Sequence, residues 1–164
     1  MSTSFEDAIF ALMKNNGETK PFCQHSMPTQ KAIIQWMAID GEAWFELIPK
    51  DLYELYENGW NEAEWNLVIG AINKTQGSKS YTFAEVPTQL LTDCIANEHE
   101  EISEDYDSWE EYHECYLNGG DIPNHSSENR WPCIFWGGEE LIADGWHRLH
   151  CYVRDNHQTI PLVY

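Results

Sequence analysis

The residues best suited by type and order to do chemistry are Ile142-Ala-Asp-Gly-Trp-His-Arg148. An apolar strand-like run reaches a glycine. Helical spacing begins just after it, with Trp146, Leu149, His150 and Val153 on one stripe. A glycine at a strand-to-helix junction lets the backbone approach a ligand closely, and the free N–H groups of a helix start favour an anion. Arg148 falls in the first turn, where a guanidinium grips an oxyanion through two parallel bonds. All three arginines, Arg130, Arg148 and Arg154, lie in the last 35 residues. Gly145, His147 and Arg148 are therefore the candidate phosphate-binding residues, and Asp144 and His147 the candidates for catalysis. Asp144 also has a plainer role as N-cap of the helix, a position that aspartate favours.

Other reactive residue types form weaker patterns. His147, His150 and Cys151 stand at i, i+3 and i+4, so all three could face one metal. His150 also belongs to the apolar stripe and no fourth ligand is evident, so no metal site is expected. Cys23, Cys94, Cys115, Cys133 and Cys151 are scattered, odd in number and never in C-x-x-C spacing. That usage fits a reducing compartment, with thiols packed as small apolar groups. No G-x-x-x-x-G-K-[ST], G-x-S-x-G or H-E-x-x-H motif is present.

Charge narrows the partners. There are 28 acids against 9 bases, a net charge of −19. Such a chain repels a polyanion over most of its surface, so direct nucleic-acid binding is not expected. Between Lys79 and Arg130 there is no base, while nine acids fall within residues 98–114. Glu98, Glu100, Glu101, Glu104, Asp105 and Asp107 in that run are the candidate docking residues for a basic protein partner. The plainer reading of a charge run is a solvated face.

These residues need elements to position them. Phe5, Ile9, Leu12 and Met13 have helical spacing after Ser4, with Asp7 as capping-box partner, and Gly17 ends that helix. Pro21 and Pro28 bracket an expected loop. Residues 32–39 read as helix, residues 44–48 as a strand or helix end, and residues 51–57 as a turn or two of helix. Asn61 with Glu64 starts a clearer helix burying Trp65, Val68, Ile69 and Ile72, closed by Gly77. Residues 81–86 alternate like a strand, and Pro87 opens a helix carrying Leu90, Leu91 and Ile95. Ser108 with Glu111 starts another helix that ends at Gly119-Gly120. Residues 131–136 and 139–143 read as a hairpin turning at Gly137-Gly138, and residues 159–164 as a closing strand.

At 164 residues, with 42% hydrophobic side chains and 8 tryptophans, the chain can bury a substantial core without disulfides. The expected division is a helical region over residues 1–80, integral or appended, followed by an α+β domain over residues 81–164. The first residues lack a basic or apolar leader, and no stretch has the apolar length of a membrane span, so a cytoplasmic location is expected.

The last third resembles the ParB/sulfiredoxin superfamily. The resemblance is carried by Trp131-Pro-Cys-Ile-Phe-Trp136, by Glu140-Leu-Ile-Ala-Asp-Gly-Trp-His-Arg-Leu-His-Cys-Tyr-Val153 and by Thr159-Ile-Pro-Leu-Val163. It extends more loosely to residues 81–86 and 109–118. It implies a small mixed sheet with helices, preceded here by a helical N-terminal extension. Sulfiredoxins carry their catalytic cysteine where this chain has Trp146, so that chemistry is not expected. In ParB proteins and nucleotide-binding relatives the same helix start contacts nucleotide phosphates, a role that falls to Gly145, His147 and Arg148. ParB adds a DNA-reading helix-turn-helix beyond this point, while the present sequence ends at Tyr164, and partition-site recognition is not implied.

Three functions follow as expectations. The first is binding of a nucleotide or other phosphate ligand at Gly145–Arg148, a nucleoside triphosphate with Mg being one candidate and hydrolysis a further step. The second is an acidic interaction protein that blocks a basic, nucleic-acid-binding partner, as phage and plasmid inhibitors of host defence do. The third and least favoured is a metal-dependent nuclease using Asp144 and Glu140.

Overall fold

The computed structural model describes residues 4–40, 47–56, 59–119 and 127–164, the side chains of residues 38–40 excepted. Among the described residues the chain is mixed α+β, with eight α-helices and a five-stranded sheet. In chain order these are α1 (Phe5–Asn16), β1 (Glu18–Pro21), α2 (Met27–Asp40), α3 (Lys50–Glu54) and α4 (Glu62–Gln76). There follow β2 (Ser80–Pro87), α5 (Thr88–Glu98), α6 (Glu100–Asp105) and α7 (Trp109–Asn118). The chain closes with β3 (Cys133–Gly137), β4 (Leu141–Asp144), α8 (Trp146–Arg154) and β5 (Thr159–Val163). No helix among the described residues is long and apolar enough to cross a membrane.

Local signals explain the helix starts. The Ser4 hydroxyl accepts the Asp7 N–H at 3.1 Å, Asn61 Oδ1 accepts that of Glu64 at 2.8 Å, and Ser108 accepts that of Glu111 at 3.2 Å. Each such cap stabilises a helix by about 1 kcal/mol. Pro28, expected in a loop, sits in the first turn of α2, where no intrahelical N–H is lost. The strand or helix end expected over residues 44–48 falls largely outside the described residues, as does Gly120.

The chain divides into two compact units, Lys20–Tyr81 and a second made of Met1–Thr19 with Thr82–Tyr164. The first holds α2, α3 and α4 and buries Phe22, Ile33, Ile34, Val68 and Ile72. Within it the buried His25 donates one Nε2–H to two carbonyls, Lys20 at 3.0 Å and Tyr81 at 2.8 Å. Trp60 donates its indole N–H to the Leu52 carbonyl at 2.7 Å.

The second unit carries the site, and α1 belongs to it. The sheet order is β1-β2-β5-β3-β4, with β2 antiparallel to β5, β5 parallel to β3, and β3 antiparallel to β4. The core joins Ile9 and Met13 of α1 and Leu91, Cys94 and Ile95 of α5 with Leu149 and Tyr152 of α8. Ile160 and Leu162 of β5 complete it.

Candidate functional site

The β3–β4 hairpin is what sets α8 in place. Gly137 and Gly138 have φ of 81° and 69°, the left-handed backbone a tight hairpin turn needs. A Cβ on Gly137 would run into the Glu6 carboxylate and the Phe10 ring. Glu6 in turn accepts the Gly138 N–H at 3.0 Å, which fastens the turn to α1. β4 then runs to Asp144, which pairs with Ile134, and Gly145 turns the chain into the helix with φ of 105°.

Gly145, not Asp144, is therefore the N-cap of α8, and no side chain caps that first turn. Asp144 is occupied as the last residue of an extended strand, so its carboxylate faces Arg148 at 3.5 Å instead of the helix N–H groups. Arg148 points inward. Its Nη2 donates to the Pro132 carbonyl at 3.1 Å, and the side chain is only 16% exposed. The Cys133 thiol beside it donates to the Gly145 carbonyl at 3.4 Å, and burial pushes that thiol up to about 11.

The three residues considered for a metal diverge. His147 is exposed and its Nδ1 lies 2.8 Å from the Tyr116 hydroxyl. His150 is wholly buried, with its Nδ1 2.7 Å from that of His113. Cys151 is buried, and its thiol is raised by that burial. Among the described residues no group of three His, Cys, Asp or Glu is placed to hold a metal ion.

Next to Trp146 the surface opens into a cleft of about 280 Å³ lined by His99, Glu100, Glu101, Glu139, Glu140 and Trp146. The end of α5 and the start of α6 form one wall, and the residues following the Gly137-Gly138 turn form another. The Glu100 N–H donates to the Glu139 carbonyl at 3.4 Å, joining the two. His99 caps α6 by accepting the Ile102 N–H at Nδ1, 3.2 Å, so its Nε2 carries the proton. Its ring meets Trp146 edge to face at 5.5 Å. All four glutamates are exposed at the rim.

Of the acids expected to dock a partner, Glu100 and Glu101 line this cleft, while Glu104, Asp105 and Asp107 are exposed along α6 and just beyond. Glu98 is turned elsewhere, onto the backbone of α1. Nothing local in the sequence marks His99 and Glu139. Their signal is tertiary: the hairpin turn brings residues 139–140 to the start of α6, some forty positions earlier in the chain.

A serine, a histidine and an aspartate also meet at the far end of α8, but in the wrong order for a nucleophile. Arg130 donates to His157 Nδ1 at 2.8 Å, which leaves the His157 proton on Nε2, 2.9 Å from Ser127 Oγ. Ser127 then donates to Asp155 at 2.6 Å. With its proton directed at the serine, the imidazole cannot act as the base that activates it. Asp155 is held down at about 2 by Arg154 and by Ser127.

No family model, curated protein or solved structure matches this chain.

Proposed function

We propose that this protein is an acidic interaction module that docks a basic protein partner through the face built by α6, the start of α7 and the β3–β4 turn. The observation that carries this reading is the cleft beside Trp146, walled by Glu100, Glu101, Glu139 and Glu140. Four carboxylates around one opening favour a lysine or arginine side chain. Each ion pair at about 4 Å contributes roughly 1 kcal/mol in water and more where water is excluded. A cation seated over the Trp146 ring would add roughly 0.5–1 kcal/mol. Beyond the cleft, Glu104, Asp105, Asp107, Glu110 and Glu111 extend the same sign of charge along the exposed surface.

The nucleotide reading of Gly145, His147 and Arg148 draws its support from the resemblance of the last third and from the glycine-to-helix junction, whose first turn no side chain caps. Against it stand the inward Arg148 and the negative field of the neighbouring cleft, which a triphosphate would have to enter. The nuclease reading is weaker, because Asp144 faces an arginine and does not line the cleft with Glu140.

Calorimetric titration with an arginine-rich peptide, and separately with CTP, ATP and GTP with Mg, tests the proposal. Peptide binding that weakens steeply with added salt, and no heat with any nucleotide, is the expected result. Nucleotide binding abolished by Arg148→Ala would overturn it.

A further inference from the structure

His150 lies in the middle of α8 with no exposed surface, inside a layer of near-parallel rings. Tyr116 stacks on it at 3.6 Å, and Trp109, Tyr112 and His113 lie 5.0 to 5.3 Å away, all four contributed by α7. Two imidazole Nδ1 atoms 2.7 Å apart share one proton: one ring donates its N–H and the other offers its lone pair. A second proton between them would set two N–H groups face to face. Among the described residues Nε2 of His150 has no hydrogen-bond partner, so a charge on this ring finds no acceptor within the packed layer.

The surroundings give an imidazolium no help. The titratable groups facing the pair are Tyr112 and Tyr116 from α7 and His147 from α8 itself. Burial raises both tyrosines, so they stay neutral. Burial, with the charges of His113 and His147, pushes His150 down to about 3, and burial lowers His113 as well. Among the described residues no carboxylate shifts either ring.

α7 is also lightly held. Trp109 is its one buried residue, whereas α5 buries Leu91, Thr92, Cys94 and Ile95. An element with few buried side chains opens at lower free energy than the core it rests on.

We propose that the His113–His150 pair is a proton-operated latch, in which the shared proton fastens α7 to α8 at neutral pH and entry of a further proton releases α7 while the sheet stays folded. The latch stands independently of what docks in the acidic cleft. Release frees His150 to titrate near its ordinary value of 6.5. For one proton taken up, the opening constant then rises about thirtyfold from pH 7.5 to pH 5, and more for two.

Hydrogen exchange measured as protection factors at about pH 7.5 and about pH 5 tests this. The expected result is a loss of protection in α7 of roughly thirtyfold or more, with β3 and β5 unchanged, and a smaller loss in His150→Phe, where His113 is left to titrate alone. Full protection of α7 at the lower pH would overturn the proposal, as would equal opening of the strands or an undiminished loss in His150→Phe. Should that variant not fold, ¹⁵N imidazole titration of the unaltered protein decides. Proton uptake by His113 and His150 must coincide with the opening of α7, and opening while both rings remain neutral overturns the latch.

Discussion

The Glu98 carboxylate accepts the backbone N–H of Phe5 at 2.5 Å, tying the last residue of α5 to the first of α1. Its other oxygen accepts the Glu6 N–H at 3.0 Å, and Ser4 accepts that of Asp7. Three donors at the start of α1 are thus satisfied, two of them from the far side of the unit. A negative charge there also complements the helix dipole.

Glu98→Ala leaves those two N–H groups without their acceptors and is expected to cost about 1–3 kcal/mol of stability. Glu98→Gln retains one acceptor and costs less. Urea unfolding monitored by circular dichroism checks both, and a neutral result for Glu98→Ala would contradict the tie.

Gly145 is conformationally obligatory. At φ of 105° any side chain is strained, and a Cβ would stand 2.9 Å from the Arg148 guanidinium and 3.1 Å from Cys133. Gly145→Ala is therefore expected to lose about 1–3 kcal/mol and to displace Arg148. The unfolding midpoint reads the first effect, and a crystal structure of the variant reads the second.

Arg148 ties α8 to the residue that leads into β3 and to the end of β4. Arg148→Ala strands the Pro132 carbonyl and leaves Asp144 without its cation, at a cost of roughly 1–3 kcal/mol. Affinity for an arginine-rich peptide is expected to change by less than about threefold, since the guanidinium does not line the cleft. Loss of stability without loss of binding separates this role from a ligand-binding one.

Thiol labelling should divide the cysteines by exposure. Cys23 and Cys115 are exposed, whereas burial pushes Cys94 up to about 12 and Cys133 up to about 11. Iodoacetamide near pH 8 is expected to modify Cys23 and Cys115 in the folded protein and the buried thiols only after denaturation. Peptide mass spectrometry assigns the sites.

What the sequence made legible was local. Ser4, Asn61 and Ser108 announce their helices because the cap and the N–H it takes lie three residues apart. The Gly137-Gly138 turn and the α8 stripe are equally short-range signals. β1 and α6 carry no such signal: the first is four residues of polar chain, and the second is hidden in an acidic run that reads as solvent-facing. Asp144 was expected to cap α8 because aspartate favours that position, but pairing with Ile134 holds it in the strand and passes the cap to Gly145. Glu98 reads as one more surface acid until α1 is folded against it. The cleft is half legible, since Glu100, Glu101, Glu140 and Trp146 each stand out in the sequence and nothing in their spacing joins them.

The most direct test of the docking role compares two variants carrying the same change of charge. One replaces Glu100, Glu101, Glu139 and Glu140 with glutamine. The other carries Asp7→Asn, Asp51→Asn, Glu54→Gln and Glu62→Gln at exposed positions that do not line the cleft. Affinity for an arginine-rich peptide, measured at about 0.1 M salt, is expected to fall roughly tenfold or more in the first variant and less than about threefold in the second. An equal fall in both would reduce the binding to net charge and contradict a docking site beside Trp146.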